Sequence, residues 1–131
     1  MDNKIDRKKV LIVGEYKLAK AIASSLLKRG CSVTVINDDS EECERLAEIK
    51  GLSVIFGNGT RKSVLKDASV ESRDIVIAVT ECDEKNLIIS EICKDEFKVK
   101  RTIALLEDGE KSSFFYKMGV DRIISPLNMV T

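Results

Sequence analysis

The sequence contains no histidine, no tryptophan and a single proline in 131 residues. Without histidine, Ser-His-Asp triads and His-ligated zinc sites are excluded, and the commonest general base is missing. No apolar run approaches the roughly 20 residues of a membrane-spanning helix. The 22 basic side chains match 22 acidic ones, so no basic excess points to a nucleic-acid partner. A hydrolase, a membrane-embedded protein and a nucleic-acid-binding protein are therefore all disfavoured.

The four cysteines are not spaced as a metal or redox motif. Cys31, Cys43, Cys82 and Cys93 show no C-x-x-C spacing. The opening residues 1–9, MDNKIDRKK, are charged and lack the apolar segment of a secretion signal. We therefore expect reduced thiols in a cytoplasmic protein.

Six short apolar runs rich in β-branched residues alternate with helix-period segments. The runs are residues 9–13, 32–36, 53–56, 74–79, 101–106 and 121–125. Strands that helices cover on both faces have this nearly continuous hydrophobicity. The alternation predicts an α/β fold, a Rossmann-like, doubly wound parallel sheet of six strands in the order 3-2-1-4-5-6, as the middle layer of an α/β/α sandwich. We expect residues 1–8 to be a charged lead-in and residues 9–131 to form one domain.

A glycine loop follows the first predicted strand, where dinucleotide-binding folds have the pattern G-x-G-x-x-G/A. Gly14 suits the tight turn, and Ala19 suits close packing of the helix on the sheet. Tyr16 replaces the middle glycine, a position that normally lacks a side chain so that backbone N–H groups can approach a pyrophosphate. The segment is either an altered nucleotide loop or a tight strand-helix turn that binds no ligand.

Polar residues also follow the second predicted strand. A carboxylate roughly 20 residues beyond a nucleotide loop usually takes the ribose hydroxyls. Here the strand ends at Asn37, which is uncharged but can still hydrogen-bond a diol, and Asp38 or Asp39 could supply the carboxylate instead. Either acidic residue would repel a 2′-phosphate, which disfavours NADP. In the alternative interpretation, Asn37 only ends the strand and Asp39 caps the next helix.

Small and polar residues also follow the third and fourth strands, in residues 57–60 (GNGT) and 80–86 (TECDEKN). Each segment alone is typical of an ordinary loop. In a parallel sheet, however, all these strand ends meet at one edge, where open α/β folds bind ligands at the point at which the strand order reverses. The sequence therefore predicts a ligand site at this edge.

These segments are more specific in combination. They are the glycine loop, residues 36–39 (INDD, similar to I-D-x-D), residues 57–60 (similar to G-D-A-T), residues 80–86 (T-x-x-D-E-x-N) and residues 118–126 (MGVDRIISP). In this arrangement the chain resembles the regulator-of-potassium-conductance domain, also called the TrkA N-terminal domain, over residues 9–126.

The resemblance implies a domain that binds NAD(H) or an adenine nucleotide (AMP, ADP or ATP) as a regulatory ligand, without turning it over. It implies a membrane K⁺ transporter or channel subunit as partner, whose K⁺ uptake or gating the domain controls. A position at the cytoplasmic face of the cell membrane and assembly into a homodimer or larger homo-oligomer are also implied.

The resemblance assigns the ligand-contacting positions as well. The phosphate loop would be formed by Gly14, Tyr16, Lys17, Leu18 and Ala19, with Lys17 reaching a phosphate. The ribose would face Asn37 and Asp39, with Asp38 beside them. The adenine side would be lined by Asn58, Gly59 and Thr60, and the region near the switch point would contain Thr80 and Asn86.

The sequence departs from the family pattern at five positions. Tyr16 replaces glycine, Asn37 and Asn58 replace aspartates, Gly59 replaces alanine, and Leu105 lies where arginine is common. Two lost carboxylates and a bulky loop residue predict weaker or altered binding. A Tyr16 ring turned outward could stack on adenine, which would suit AMP, ADP or ATP better than an extended dinucleotide.

Two other functions remain open. A degenerate interaction module would bind no ligand and act by assembly alone. A small NAD-dependent oxidoreductase would need a substrate domain and a proton donor, and the lack of histidine argues against it.

Family members usually continue into a crossover helix that builds the dimer and often into a second ligand domain. Only residues 127–131 follow the closing motif, so we expect either that the sequence stops short of these parts or that the protein is a stand-alone module without them.

Overall fold

Six parallel strands form one sheet in the order 3-2-1-4-5-6, which confirms the predicted fold. The computed structural model describes residues 5–125. Residues 1–4 of the predicted lead-in, the single proline and residues 127–131 lie outside the described residues. The first three strands and the last three therefore extend in opposite directions from a switch point between strands 1 and 4.

The elements follow one another in strict alternation. The strands are β1 (Lys9–Gly14), β2 (Ser32–Asn37), β3 (Ser53–Phe56), β4 (Ile75–Val79), β5 (Arg101–Leu105) and β6 (Arg122–Ile124). The helices are α1 (Tyr16–Lys28), α2 (Ser40–Ala47), α3 (Lys62–Asp67), α4 (Asp83–Asp95) and α5 (Ser112–Lys117), and single 3₁₀ turns occur at Val70–Ser72 and Gly109–Lys111.

Two hydrophobic cores lie on opposite faces of the sheet. Leu11 of β1 faces a core that includes Ile89 of α4 and Phe115 of α5. Val10, the preceding residue, faces a core that includes Ala23 of α1 and others from α2. Because successive strand residues alternate between two buried faces, the strand can carry hydrophobic residues at every position. This arrangement explains the uninterrupted apolar runs and gives three layers.

The turns that enter the strands use residues suited to helix ends. Gly30 follows α1 with a φ of 79° and Gly119 follows α5 with a φ of 110°, a left-handed conformation that favours glycine. The carboxylate of Asp39 accepts a hydrogen bond from the N–H of Glu42 at 3.0 Å and so caps α2. The parallel pairing of all six strands places their carboxyl ends at one edge.

The described part of the lead-in packs against the end of α1. The Cys31 thiol donates to the carbonyl of Ile5 at 2.9 Å, and the Arg29 guanidinium lies 2.6 Å from the Asp6 carboxylate. All four cysteines are free thiols. Within residues 5–125, no cluster of metal-ligating side chains forms, and no helix has the length and hydrophobicity to cross a membrane.

Candidate functional site

A cleft of about 150 Å³ opens at the carboxyl ends of β1, β2, β3 and β4. It lies over the switch point between β1 and β4, the position at which open α/β sheets bind ligands. Its lining residues are Val13, Gly14, Glu15, Ile36, Asn37, Asp38, Gly57, Asn58, Gly59, Thr60, Thr80, Glu81, Cys82, Lys85 and Ile89. Seven of the thirteen site residues expected from the sequence are among them: Gly14, Asn37, Asp38, Asn58, Gly59, Thr60 and Thr80.

Gly14 brings the end of β1 into close contact with β4. A Cβ atom at this position would lie 2.7 Å from the carbonyl oxygen of Val79 and 3.0 Å from its carbon. Since both atoms belong to the backbone of a central strand, they cannot move aside cheaply. Glycine at this position therefore lets the end of β1 lie close to β4, and the chain can enter α1 directly.

Glu15 caps α1 with its own side chain. Its carboxylate accepts hydrogen bonds from the backbone N–H of Leu18 at 2.6 Å and of Lys17 at 3.1 Å. Such first-turn N–H groups have no partner within the helix, and in nucleotide-binding folds they commonly bind phosphate. Sequence reasoning missed Glu15, because glutamate is not among the residues that are preferred at an N-cap, which are Ser, Thr, Asp and Asn.

The Tyr16 ring packs between α1 and α2 and does not line the cleft. The guanidinium carbon of Arg45 lies 4.1 Å from the ring centroid, and the ammonium nitrogen of Lys20 lies 5.6 Å from it. Both distances fit cation–π contacts. The ring is thus held at a helix-helix contact, whereas the sequence suggested that it would obstruct a pyrophosphate or stack on adenine.

The other residues of the expected phosphate loop also lie outside the cleft lining. The Lys17 side chain is exposed. Leu18 is half-buried, and Ala19 is completely buried, both in the core that α1 shares with the sheet. Ala19 therefore allows the close helix-sheet packing that its place in the motif predicts.

Asn37 is held by four internal contacts. Its amide nitrogen donates to the carbonyl of Gly14 at 3.0 Å and to the Glu42 carboxylate at 2.9 Å. Its amide oxygen accepts from the N–H of Asp39 at 2.7 Å and from the Cys43 thiol at 3.7 Å. Only 4% of Asn37 is exposed. In this conformation it joins β1, β2 and α2 at the floor of the cleft.

An aspartate at position 37 would carry a carboxylate next to Glu42 and could not donate to either acceptor. Asparagine therefore suits these neighbours. Of the two following acids, Asp38 is exposed and lines the cleft. Asp39 caps α2 and is not part of the lining, as the alternative interpretation of the sequence held.

Cys43 lies beneath this network with its thiol hydrogen-bonded to the Asn37 carbonyl at 3.3 Å. Burial raises its pKa, and the nearby carboxylates of Asp39, Glu42 and Asp38 raise it further. Because a raised pKa keeps the thiol protonated, Cys43 is a hydrogen-bond donor and a poor nucleophile.

The loop of residues 57–60 is ordered by its own asparagine. The Asn58 side-chain oxygen accepts from the N–H of Thr60 at 2.9 Å and from its hydroxyl at 2.7 Å. Gly59 is buried, and a Cβ there would clash with Cγ1 of Val13. The alanine expected at position 59 would therefore require Val13 to shift. Residues 57–60 and the end of β1 therefore pack closely against each other.

Asn86 is completely buried and fixes the turn after β4. Its side-chain oxygen accepts from the N–H and hydroxyl of Thr80 at 2.9 and 2.6 Å. Its amide nitrogen donates to the carbonyls of Leu105 at 3.0 Å and Thr80 at 3.1 Å. Asn86 thus holds the turn that lines the cleft in place, and its side chain presents no surface to a ligand in this conformation.

The charged groups that line the cleft are mostly acidic. Glu15, Asp38 and Glu81 contribute carboxyl groups, and Lys85 contributes one ammonium group. Further out, Lys111 donates a hydrogen bond to Glu84 at 2.9 Å, which lowers the pKa of that carboxyl to about 2. The lining of the cleft therefore carries more negative than positive charge, which does not attract a phosphate.

A protein-family model described as "TrkA-N domain" matches residues 10–126 of the chain. The chain belongs to the TrkA-N family. The predicted resemblance is confirmed.

Among curated relatives, a Trk system potassium uptake protein TrkA homolog from Methanothermobacter thermautotrophicus is 32% identical over 117 residues, covering 89% of this chain and 54% of the relative. TrkA homolog 1 from Methanosarcina mazei is 34% identical over 116 residues, covering 88% of this chain and 27% of the relative. The chain thus spans about half or less of these relatives' lengths.

Solved structures share the fold at low sequence identity. The TrkA-N domain of inner membrane protein ybaL from Escherichia coli superposes with a TM-score of 0.85 at 15% identity, covering 94% of this chain and 90% of that one. The GsuK channel bound to NAD superposes with a TM-score of 0.80 at 20% identity, covering 99% of this chain and 23% of that one. The Shewanella denitrificans Kef CTD in AMP-bound form superposes with a TM-score of 0.80 at 16% identity, covering 93% of this chain and 74% of that one.

Proposed function

We propose that this TrkA-N domain is a regulatory module that binds an adenine nucleotide or NAD(H) in the cleft. Through this ligand it controls K⁺ uptake or channel gating by a membrane transporter or channel subunit. The observation that carries the proposal is the cleft itself, because it opens over the switch point and four strand ends of the sheet converge on it.

The named relatives support the choice of ligand and partner. Two relatives are potassium uptake proteins, one structural neighbour is a channel bound to NAD, and another binds AMP. Since the chain covers only part of those proteins, the K⁺ partner, the cytoplasmic position beside the membrane and the homo-oligomer belong to the proposal. So does the division into a lead-in, residues 1–8, and a domain, residues 9–131.

The lining suggests how the parts of a ligand would be distributed. Asp38 is the exposed carboxylate nearest the end of β2, so it would accept hydrogen bonds from the ribose hydroxyls. Residues 57–60 would contact the adenine. A 2′-phosphate beside Asp38 would be repelled, so NADP(H) should bind worst. The domain would bind its ligand without chemistry, because regulation needs only a difference in affinity between two states.

A second candidate is an interaction module that binds no nucleotide. The specific observation in its favour is Glu15, whose carboxylate takes the N–H groups of Lys17 and Leu18. Such a module would leave the cleft empty and act through its protein partner alone. The two candidates differ in whether a purified domain responds to nucleotides.

Thermal unfolding of the full chain with separate adenine ligands tests the proposal. The panel is AMP, ADP, ATP, NAD⁺, NADH and NADPH. A ligand at about 100 times its dissociation constant adds about 2.7 kcal/mol to the free energy of unfolding. In a domain of this size, that gain raises the unfolding midpoint by roughly 10 °C. We expect a shift with at least one of the first five ligands and the smallest shift with NADPH. An unchanged midpoint with all six at millimolar concentration would favour the interaction module.

A further inference from the structure

We propose that Glu15 is the specificity-determining residue of the cleft and that it selects adenosine over phosphate-bearing adenine ligands. This inference rests on the proposed function, because it concerns the same cleft. The Glu15 carboxylate acts as a built-in anion at the start of α1, so that a ligand's phosphate must compete with it. Among the adenine-containing ligands of the proposed function, those whose phosphate would lie at this helix end should therefore bind more weakly than adenosine.

The first-turn N–H groups of α1 already have a hydrogen-bond acceptor. Leu18 and Lys17 donate their backbone N–H groups to Glu15 at 2.6 and 3.1 Å. A phosphate bound at a helix N-terminus uses donors of this kind. Each N–H can serve one strong acceptor, so a phosphate would have to displace the carboxylate. Displacement would leave two anions close together in a cleft that is partly shielded from solvent.

The charged groups that line the rest of the cleft are mostly acidic. The other acidic groups in the lining are Asp38 and Glu81, and the cation is Lys85. Lys17, the basic residue expected to reach a phosphate, is exposed outside the lining. The guanidinium of Arg45 instead lies over the Tyr16 ring. Two basic groups near the loop are thus placed away from the position that a phosphate would take.

The remaining polar groups of the cleft suit an uncharged ligand. Asp38 can accept hydrogen bonds from ribose hydroxyls, as aspartates at this strand end commonly do. Thr60 and Asn58 form an ordered loop on the side proposed for the base. None of these contacts requires a phosphate. Adenosine would retain them without opposing Glu15.

Calorimetric titration of the full chain with adenosine, AMP and NAD⁺ tests the inference. The wild-type chain should bind adenosine more tightly than AMP. The variant Glu15→Gln keeps the length of the side chain and one acceptor oxygen but removes the charge. In this variant, the ratio of the AMP to the adenosine dissociation constant should fall by about tenfold or more, which corresponds to at least about 1.4 kcal/mol.

Glu41→Gln is the matched control. Glu41 lies in the first turn of α2 at the same edge of the sheet, is exposed and does not line the cleft. If Glu15 acts by its position, Glu41→Gln should leave the ratio unchanged within about twofold, because exposed charges at a distance are screened. An equal effect of both substitutions would reduce the inference to a general charge effect and overturn it.

The outcomes separate this inference from the proposed function. If the wild-type chain binds AMP or NAD⁺ as tightly as adenosine, or if Glu15→Gln leaves the ratio unchanged, the inference is wrong and the proposed function stands. If no ligand binds to either chain, both are wrong. Should Glu15→Gln unfold, Glu15→Ser supplies a neutral residue that is strongly preferred as a helix cap and can be titrated in the same way.

Discussion

Asn86→Asp is expected to lower the free energy of unfolding by about 3–5 kcal/mol at neutral pH, the largest effect among the substitutions discussed. Asn86 is completely buried and donates to the carbonyls of Leu105 and Thr80. An aspartate keeps the acceptor that binds the Thr80 N–H but loses both donors. It also brings a second anionic oxygen against two carbonyl oxygens, from which water is excluded.

The measurement is urea unfolding followed by circular dichroism. Asn58→Asp is the control, because the exposed Asn58 side chain uses its oxygen to accept hydrogen bonds, a function that aspartate retains. We expect its free energy of unfolding to change by no more than about 0.5 kcal/mol. The loss in Asn86→Asp should shrink at mildly acidic pH, because burial raises the pKa of the introduced carboxyl and the folded state then binds the proton. A loss equal to that of Asn58→Asp would contradict this account.

Gly14→Ala is expected to lower the free energy of unfolding by about 3 kcal/mol. The added methyl group would lie 2.7 Å from the Val79 carbonyl oxygen, so β1 and β4 would have to separate at the centre of the sheet. Such a separation disturbs the packing of both cores, because both strands are buried on both faces. It would also open the switch point at which the cleft is formed.

Gly109→Ala provides the comparison for Gly14→Ala. A Cβ at Gly109 meets no atom within 4 Å, and its φ does not lie in the left-handed region. Because alanine restricts the unfolded chain, this substitution should be neutral or add up to about 1 kcal/mol to the free energy of unfolding. Chemical denaturation of the two variants side by side gives the difference. Similar midpoints for both would show that the close approach of Gly14 to Val79 is not needed for stability.

The fold could be predicted from the sequence because its strands are short, apolar and separated by helical segments of suitable length. Buried parallel strands leave a continuous hydrophobic signal, and the rules for crossovers then leave few arrangements. α3 and α5 were harder to foresee. Each has six residues, and neither Arg61 nor Lys111 at the N-cap makes a side-chain capping bond, so the usual start signal is missing.

The location of the site was also predictable, but the roles of single side chains were not. The strand ends must meet at one edge, whatever the rotamers are. The orientation of Tyr16, however, depends on Arg45, a residue of another helix. The contacts of Asn37 depend on Glu42 in the same way. A sequence motif specifies positions along one segment of the chain, whereas these contacts join side chains of different helices and strands.

Glu15 illustrates the same limit more sharply. The glycine pattern draws attention to the replacement of glycine by tyrosine, and any side chain is formally allowed at position 15. The structure instead places the Tyr16 ring outside the cleft and the Glu15 carboxylate on the first-turn N–H groups. Whether a residue blocks a phosphate thus depends on hydrogen bonding at the helix end, which the pattern does not encode.

The central claim is that the cleft at the carboxyl edge binds an adenine-containing ligand, and mapping of amide chemical shifts in the ¹⁵N-labelled chain tests it most directly. With adenosine or AMP, we expect the largest shifts at residues 57–60, Asp38 and Thr80. The opposite edge, represented by Lys8 and Lys100, should not respond. Saturable shifts confined to the cleft edge would support the claim. An unchanged spectrum at millimolar ligand, or shifts centred on the opposite edge, would contradict it.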